Sequence, residues 1–127
     1  MKLGRVQLRI MQVLWDKGRA SAREVTDALN EQEPIAHSTV QTLLRKLEAK
    51  GAVDHEQMDR TFVFLPLVQE EKVKHKATRD LLQSVFGGSA SELVAHLLKH
   101  EPIDRQELDE IRRLVGGKQP KNTKKRT

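Results

Sequence analysis

The chain has 127 residues, of which 37% are hydrophobic and 3% aromatic, with 23 Lys and Arg against 18 Asp and Glu. That is one domain, or a small domain with an appendage, around a modest core of Leu and Val. With no cysteine, disulfides, thiolate metal sites and a Cys nucleophile are excluded, which fits a reducing cytoplasm; no apolar leader or long apolar run predicts secretion or membrane insertion.

Residues 5–16 read as a first helix, with Val6, Leu8, Ile10, Met11, Val13, Leu14 and Trp15 around most of its circumference. Trp15 is expected as a core anchor and Gly18 as the stop. A second helix begins at Ser21, where Ser21 and Glu24 form an S-x-x-E capping box, and closes at Asn30. Its apolar stripe is Ala22, Val25, Ala28 and Leu29. Pro34 forbids continuation. Ser38 and Gln41 repeat the capping pattern and are expected to open a third helix, which Gly51 ends in a left-handed conformation.

That third helix, HSTVQTLLRKLEAKG, has two unlike faces. Val40, Leu43, Leu44 and Leu47 make a buried stripe. The other side offers Ser38, Thr39, Gln41, Thr42, Arg45 and Lys46, side chains suited to reading base edges and gripping phosphates in a major groove. An ordinary solvated face would mix Glu with Lys. His37, just before the helix, reads equally well as a phosphate contact or as a solvent-exposed flanking residue.

After Gly51 the period changes from helical to alternating. Val53 and His55, then Phe62 and Phe64, are expected as inward positions of two strands bridged by Gln57-Met58-Asp59-Arg60. Pro66 stops the hairpin, and Arg19-Ala20 offers a third edge strand. Three helices followed by a hairpin are the order of a winged helix-turn-helix module, whose recognition helix lies in the major groove while the wing reaches the backbone or minor groove. The fold class expected is mainly α with a small β-hairpin wing (α+β).

Residues 69–115 read as three more helices. The first, about 69–86, carries Val73, Ala77, Leu81, Leu82, Val85 and Phe86 and breaks at Gly87-Gly88. Ser89 and Glu92 form another capping box before Leu93, Val94, Leu97 and Leu98; Pro102 ends that region. Asp104 caps the last helix, with Leu108, Ile111, Leu114 and Val115. So short a segment seldom buries enough apolar area to stand alone. The expected partner is the same segment of a second copy, ahead of folding back onto residues 1–67. Such a dimer would present two recognition helices to a palindrome in double-stranded DNA.

Five of the basic residues fall in 116–127, a stretch with no acid, so the remaining 18 balance the 18 acids. The folded part is therefore neutral overall, and a DNA face must come from local clustering. The tail is expected to be disordered. The domains expected are thus 1–67 for DNA binding, 68–115 for dimerisation and 116–127 as a basic tail.

The runs LGRVQLRIMQVLW, SAREVTDAL, HSTVQTLLRKLEAKG, DRTFVFLPLV, LLQSVFGGS and ELVAHLL resemble the penicillinase-repressor family, which includes BlaI, MecI and copper-responsive relatives. The resemblance spans about residues 3–115. It implies a homodimeric winged-helix repressor whose DNA-facing set is Ser38, Thr39, Gln41, Thr42, Arg45 and Lys46, with Arg60 on the wing. In the best-studied branch, a membrane sensor–protease pathway cuts an Asn–Phe bond in the dimerisation region. The positions matching that regulatory cleavage site are His96-Leu97, a departure from the pattern. The copper branch carries a Cys-rich motif that this chain lacks.

Sharper chemistry finds little footing. Glu92, His96 and His100 form an i, i+4, i+8 ladder that could hold zinc, but Glu–His pairing explains it as well. His55-Glu56 fails as H-E-x-x-H because Asp59 stands where the second His belongs. There is no phosphate-cradling Gly loop and no Ser/His/Asp set, so neither an enzyme nor a cofactor is expected. The alternatives are a winged-helix protein-interaction module and a small-molecule-responsive regulator of another family.

Overall fold

In the computed structural model, which describes residues 1–120, the elements run α1 (Arg5–Lys17), β1 (Ala20–Ser21), α2 (Ala22–Asn30), α3 (His37–Ala49), β2 (Val53–Met58), β3 (Thr61–Pro66), α4 (Glu70–Phe86), α5 (Ala90–His100) and α6 (Arg105–Gly116). Residues 121–127 of the tail expected to be disordered lie outside the described residues. Gly116, which composition assigned to the tail, is the last residue of α6. The fold is mainly α with a β wing. No helix among the described residues is long and apolar enough to cross a membrane.

The chain divides into two compact units, Met1–Arg79 and a second that begins at Asp80. The core of the first is one cluster. Ile10, Met11 and Leu14 of α1 meet Val25 and Leu29 of α2, then Val40, Leu44 and Leu47 of α3. Ala20, Ala52, Val53 and Phe64 close it from the sheet. Each buried Leu, Ile or Val side chain contributes about 1.5–3 kcal/mol. Trp15 packs against this cluster and donates its indole N–H to the Val68 carbonyl at 3.0 Å, so the ring both fills space and ties down the chain after the hairpin.

The Ser21–Glu24 box is present in both directions. Ser21 Oγ accepts from the Glu24 N–H at 3.1 Å, and the Ser21 N–H donates to Glu24 Oε1 at 2.8 Å. Those bonds hold the Glu24 carboxyl below its usual range, with the Ser21 backbone N–H as the largest cause. Asn30 closes α2 by accepting from the Ile35 N–H at 3.1 Å and donating to the Ile35 and Thr26 carbonyls.

The third helix starts earlier than its Ser-Gln pattern predicted. Its N-cap is Ala36, with no side-chain cap bond, and Ser38 and Gln41 form no capping box. Two residues beyond Pro34 the backbone is already free to turn, and Ala36 is extended at φ −74°, ψ 143°. His37 is therefore the first helical residue rather than a solvated flank. It is half-buried, with Nδ1 2.9 Å from Thr26 Oγ1 on α2. Gly51 takes φ 82° as expected.

The sheet order is β1-β3-β2, all antiparallel, with Ala20 and His55 on either side of Phe64. The hairpin is tighter than predicted. Gln57 and Met58 are strand residues, and only Asp59-Arg60 turn the chain, with Asp59 at φ 57°. An Asp accepts that left-handed conformation at modest cost. Phe62 is not inward in the sense expected. It shares the face of Phe64 but is 50% exposed, because the strands run out past the helices toward the tip.

In α5, Ser89 Oγ accepts from the Glu92 N–H at 3.1 Å, half of the capping box predicted; the return bond is absent among the described residues. Asp104 caps α6 through the Glu107 N–H at 2.8 Å. None of α4, α5 and α6 contains a buried residue.

Candidate nucleic-acid interface

The exposed face of α3 follows from its spacing. Val40, Leu44 and Leu47 point into the core, so at 100° per residue Ser38, Thr42 and Arg45 stand opposite them. Gln41 lies on the flank toward the wing, and Thr39 and Lys46 lie on the other flank. All six are exposed. Because the helix is capped by Ala36, no capping bond consumes the Ser38 hydroxyl. Arg45 Nη2 reaches Thr42 Oγ1 at 3.5 Å, a loose contact within the same face.

Between this helix and the wing lies an open cleft of about 840 Å³. Gln41 and Arg45 line it from α3, and Arg60 from the turn of the wing. Three of the seven sequence-predicted residues are thus gathered around one space. Ser38, Thr39, Thr42 and Lys46 do not line it and belong to the outer surface of the helix.

The cleft also holds residues that were not singled out as DNA-facing. Arg23 lines it from the first turn of α2, and Phe62 and His55 line it from the strands. A cation in a helix's first turn opposes the helix dipole, so Arg23 stood in the sequence as a misplaced charge. Nothing local predicted the His55 contacts. Its Nδ1 lies 2.7 Å from Glu48 Oε1 on α3, and its ring centroid lies 4.6 Å from Phe62 and 5.7 Å from Phe64. The His55–Glu48 contact therefore joins the wing to α3, while the His55 ring packs against Phe62 and Phe64 within the wing itself.

The charge distribution favours an anion. Arg23, Arg45 and Arg60 face the cleft with one carboxylate, Glu48, which His55 engages. Among the described residues those three arginines form no ion pair, whereas Arg19 is bound to Glu56 at 3.0 Å and Arg5 and Arg9 to Glu33 at 3.0 and 3.2 Å. At the far end of α3, Lys50 Nζ bonds the Lys2 carbonyl at 2.6 Å and Gln7 Oε1 at 3.0 Å. That cation fastens the helix end to the start of α1 and is occupied by the fold.

The zinc ladder does not assemble. Among the described residues, the donor atoms of Glu92, His96 and His100 do not converge; His96 and His100 stack with ring centroids 4.4 Å apart, and Phe86 meets His96 edge-on at 5.6 Å. Glu48, Asp54 and His55 do bring donor atoms within 4.8 Å of one another, but Glu48 and His55 already satisfy each other there.

The family model for the penicillinase repressor matches residues 3–116. The chain belongs to the penicillinase repressor family. Its members are repressors and not enzymes. The methicillin resistance regulatory protein MecI of Staphylococcus aureus (strain N315) is 25% identical over 117 residues, which is 92% of this chain and 95% of MecI. The penicillinase repressor of Bacillus licheniformis is 26% identical over 119 residues, 94% of this chain and 91% of that protein. The solution structure of the DNA-binding domain of the repressor BlaI superposes with a TM-score of 0.50 at 30% identity, over 54% of this chain and 84% of that domain. A complex structure of hsRosR-S4, 20% identical with a TM-score of 0.51, covers 91% of this chain and 88% of its own, a likeness of fold alone.

Proposed function

We propose that this family member is a cytoplasmic DNA-binding transcriptional repressor that holds a palindromic operator as a homodimer. The observation that carries the reading is the exposed face of α3. Six hydrogen-bonding or cationic side chains, none of them acidic, stand opposite the stripe that locks the helix to the core. Arg45 is suited to bidentate contact with guanine, and Gln41 to adenine. Arg60 at the wing extends the same surface to the backbone. Residues 1–67 supply this surface.

Residues 68–115 supply the dimer. Val73, Leu82, Phe86, Leu93, Leu108 and Ile111 are half-exposed, and Ala77, Leu81, Val85, Val94, Leu97, Leu98 and Leu114 are exposed. So many apolar side chains in contact with water call for a second copy. Release of the operator then follows from any signal that loosens this segment, because two half-sites held in one molecule gain effective concentration and a lone protomer does not. Proteolysis through a membrane sensor is one such route. His96-Leu97 lies inside α5, so a protease would have to unwind that helix to reach the bond.

Footprinting of the DNA upstream of the chain's own gene tests the reading. Two protected half-sites related by two-fold symmetry, with centres about 34–36 Å apart or a multiple of that, are expected. A dimeric protein that protects no duplex sequence would leave an interaction module instead.

A further inference from the structure

The cleft between α3 and the wing contains two features that base reading does not use. One is Arg23, an exposed guanidinium in the first turn of α2 with no ion pair among the described residues. The other is Phe62, half-exposed and yet fixed. Its ring lies 4.6 Å from the His55 imidazole, and His55 is held by Glu48 at 2.7 Å. A flat apolar surface is thus presented beside guanidinium groups in an open groove.

That combination matches one repeating unit of a nucleic-acid strand. Each phosphate is a hydrogen-bond acceptor with a negative charge, and the adjoining deoxyribose presents C–H groups with little polarity. A guanidinium pairs with the first. An aromatic face covers the second and recovers the apolar area that Phe62 leaves in water. We propose that Arg23 and Phe62 form a seat for one sugar-phosphate strand of duplex DNA, with Arg23 on a phosphate and the Phe62 ring against the neighbouring deoxyribose. The inference rests on the repressor reading above and adds to it two backbone contacts, one electrostatic and one apolar. It places a strand along the cleft while Ser38, Thr42 and Arg45 address the bases.

The two contacts have different salt signatures. Each phosphate neutralised contributes about 0.9 to the slope of log affinity against log salt, and an apolar contact contributes none. The test is fluorescence anisotropy of the full chain on two labelled duplexes, its own upstream region and a scrambled sequence of equal length, across a salt series. Arg23→Ala is expected to flatten the slope by about 1 on both duplexes, and Arg23→Lys to restore it. Phe62→Ala is expected to weaken both duplexes about five- to tenfold with the slope unchanged, and Phe62→Leu to recover part of the loss. Thermal unfolding of the same variants checks that the fold is intact, and Phe62→Leu keeps the test informative if the alanine variant unfolds. Wild-type protein that binds in a salt-dependent way, with variants indistinguishable from it, would overturn the seat and leave the repressor reading standing. Wild-type protein that binds neither duplex defeats the repressor reading itself.

Discussion

At the scale of single residues, Arg45 is the sharpest element of the site. It stands opposite the buried stripe, faces the cleft and is bound only loosely by Thr42. Arg45→Ala should cost about 1–3 kcal/mol on the operator and little on scrambled DNA, as read by competition binding. An equal loss on both would make Arg45 a phosphate contact. Ser21 is the corresponding test of the fold. Ser21→Ala removes half of a two-way cap and should lower stability by about 1 kcal/mol in denaturant unfolding. The same site sets a pH dependence. The Glu24 carboxyl is held low by Ser21, so its stabilisation is present above the ordinary glutamate range and is lost as pH falls through the lowered folded value. Glu24→Gln, which removes the titrating group, should therefore show a shallower loss of stability on acidification than the wild type.

At the scale of elements, α3 depends on its hidden side. Leu44 is fully buried in the core of the winged unit, and Leu44→Ala should cost about 2–5 kcal/mol by denaturant unfolding, with DNA binding lost only as far as the fold is lost. The apolar spacing of α1, α2 and α3, the Ser21 cap and the left-handed Gly51 were all legible, because each is set by residues within a turn or two of one another. The start of α3 was misjudged because Ser38 and Gln41 satisfy a capping pattern, whereas the helix starts from Ala36, two residues earlier, with no side-chain cap. Phe62 was misjudged because alternation assigns a face and does not say whether a helix covers it. The His55–Glu48 contact joins a strand to a helix and the Lys50–Gln7 tie joins residues 43 apart in sequence, and no helical or strand period encodes either. The exposed polar face of α3 was thus legible from helical period, whereas the cleft required the wing to be placed.

At the scale of the whole molecule, the proposed homodimer rests on apolar side chains that the single chain leaves in water. Leu81 and Leu97 are each 44% exposed, on α4 and α5. Replacing both with Asp should give a monomer by light scattering, with the winged unit still folded and operator binding greatly weakened. A double variant that stays dimeric would move the interface elsewhere. The central claim is that local clustering of charge on α3, on a body that is neutral overall, makes a sequence-reading surface. Salt-titrated binding of the wild-type chain to its own upstream DNA, against a scrambled duplex, tests it most directly. The account predicts tighter binding to the upstream sequence, with log affinity falling linearly as log salt rises on both duplexes. Equal affinity for the two at every salt concentration would contradict it.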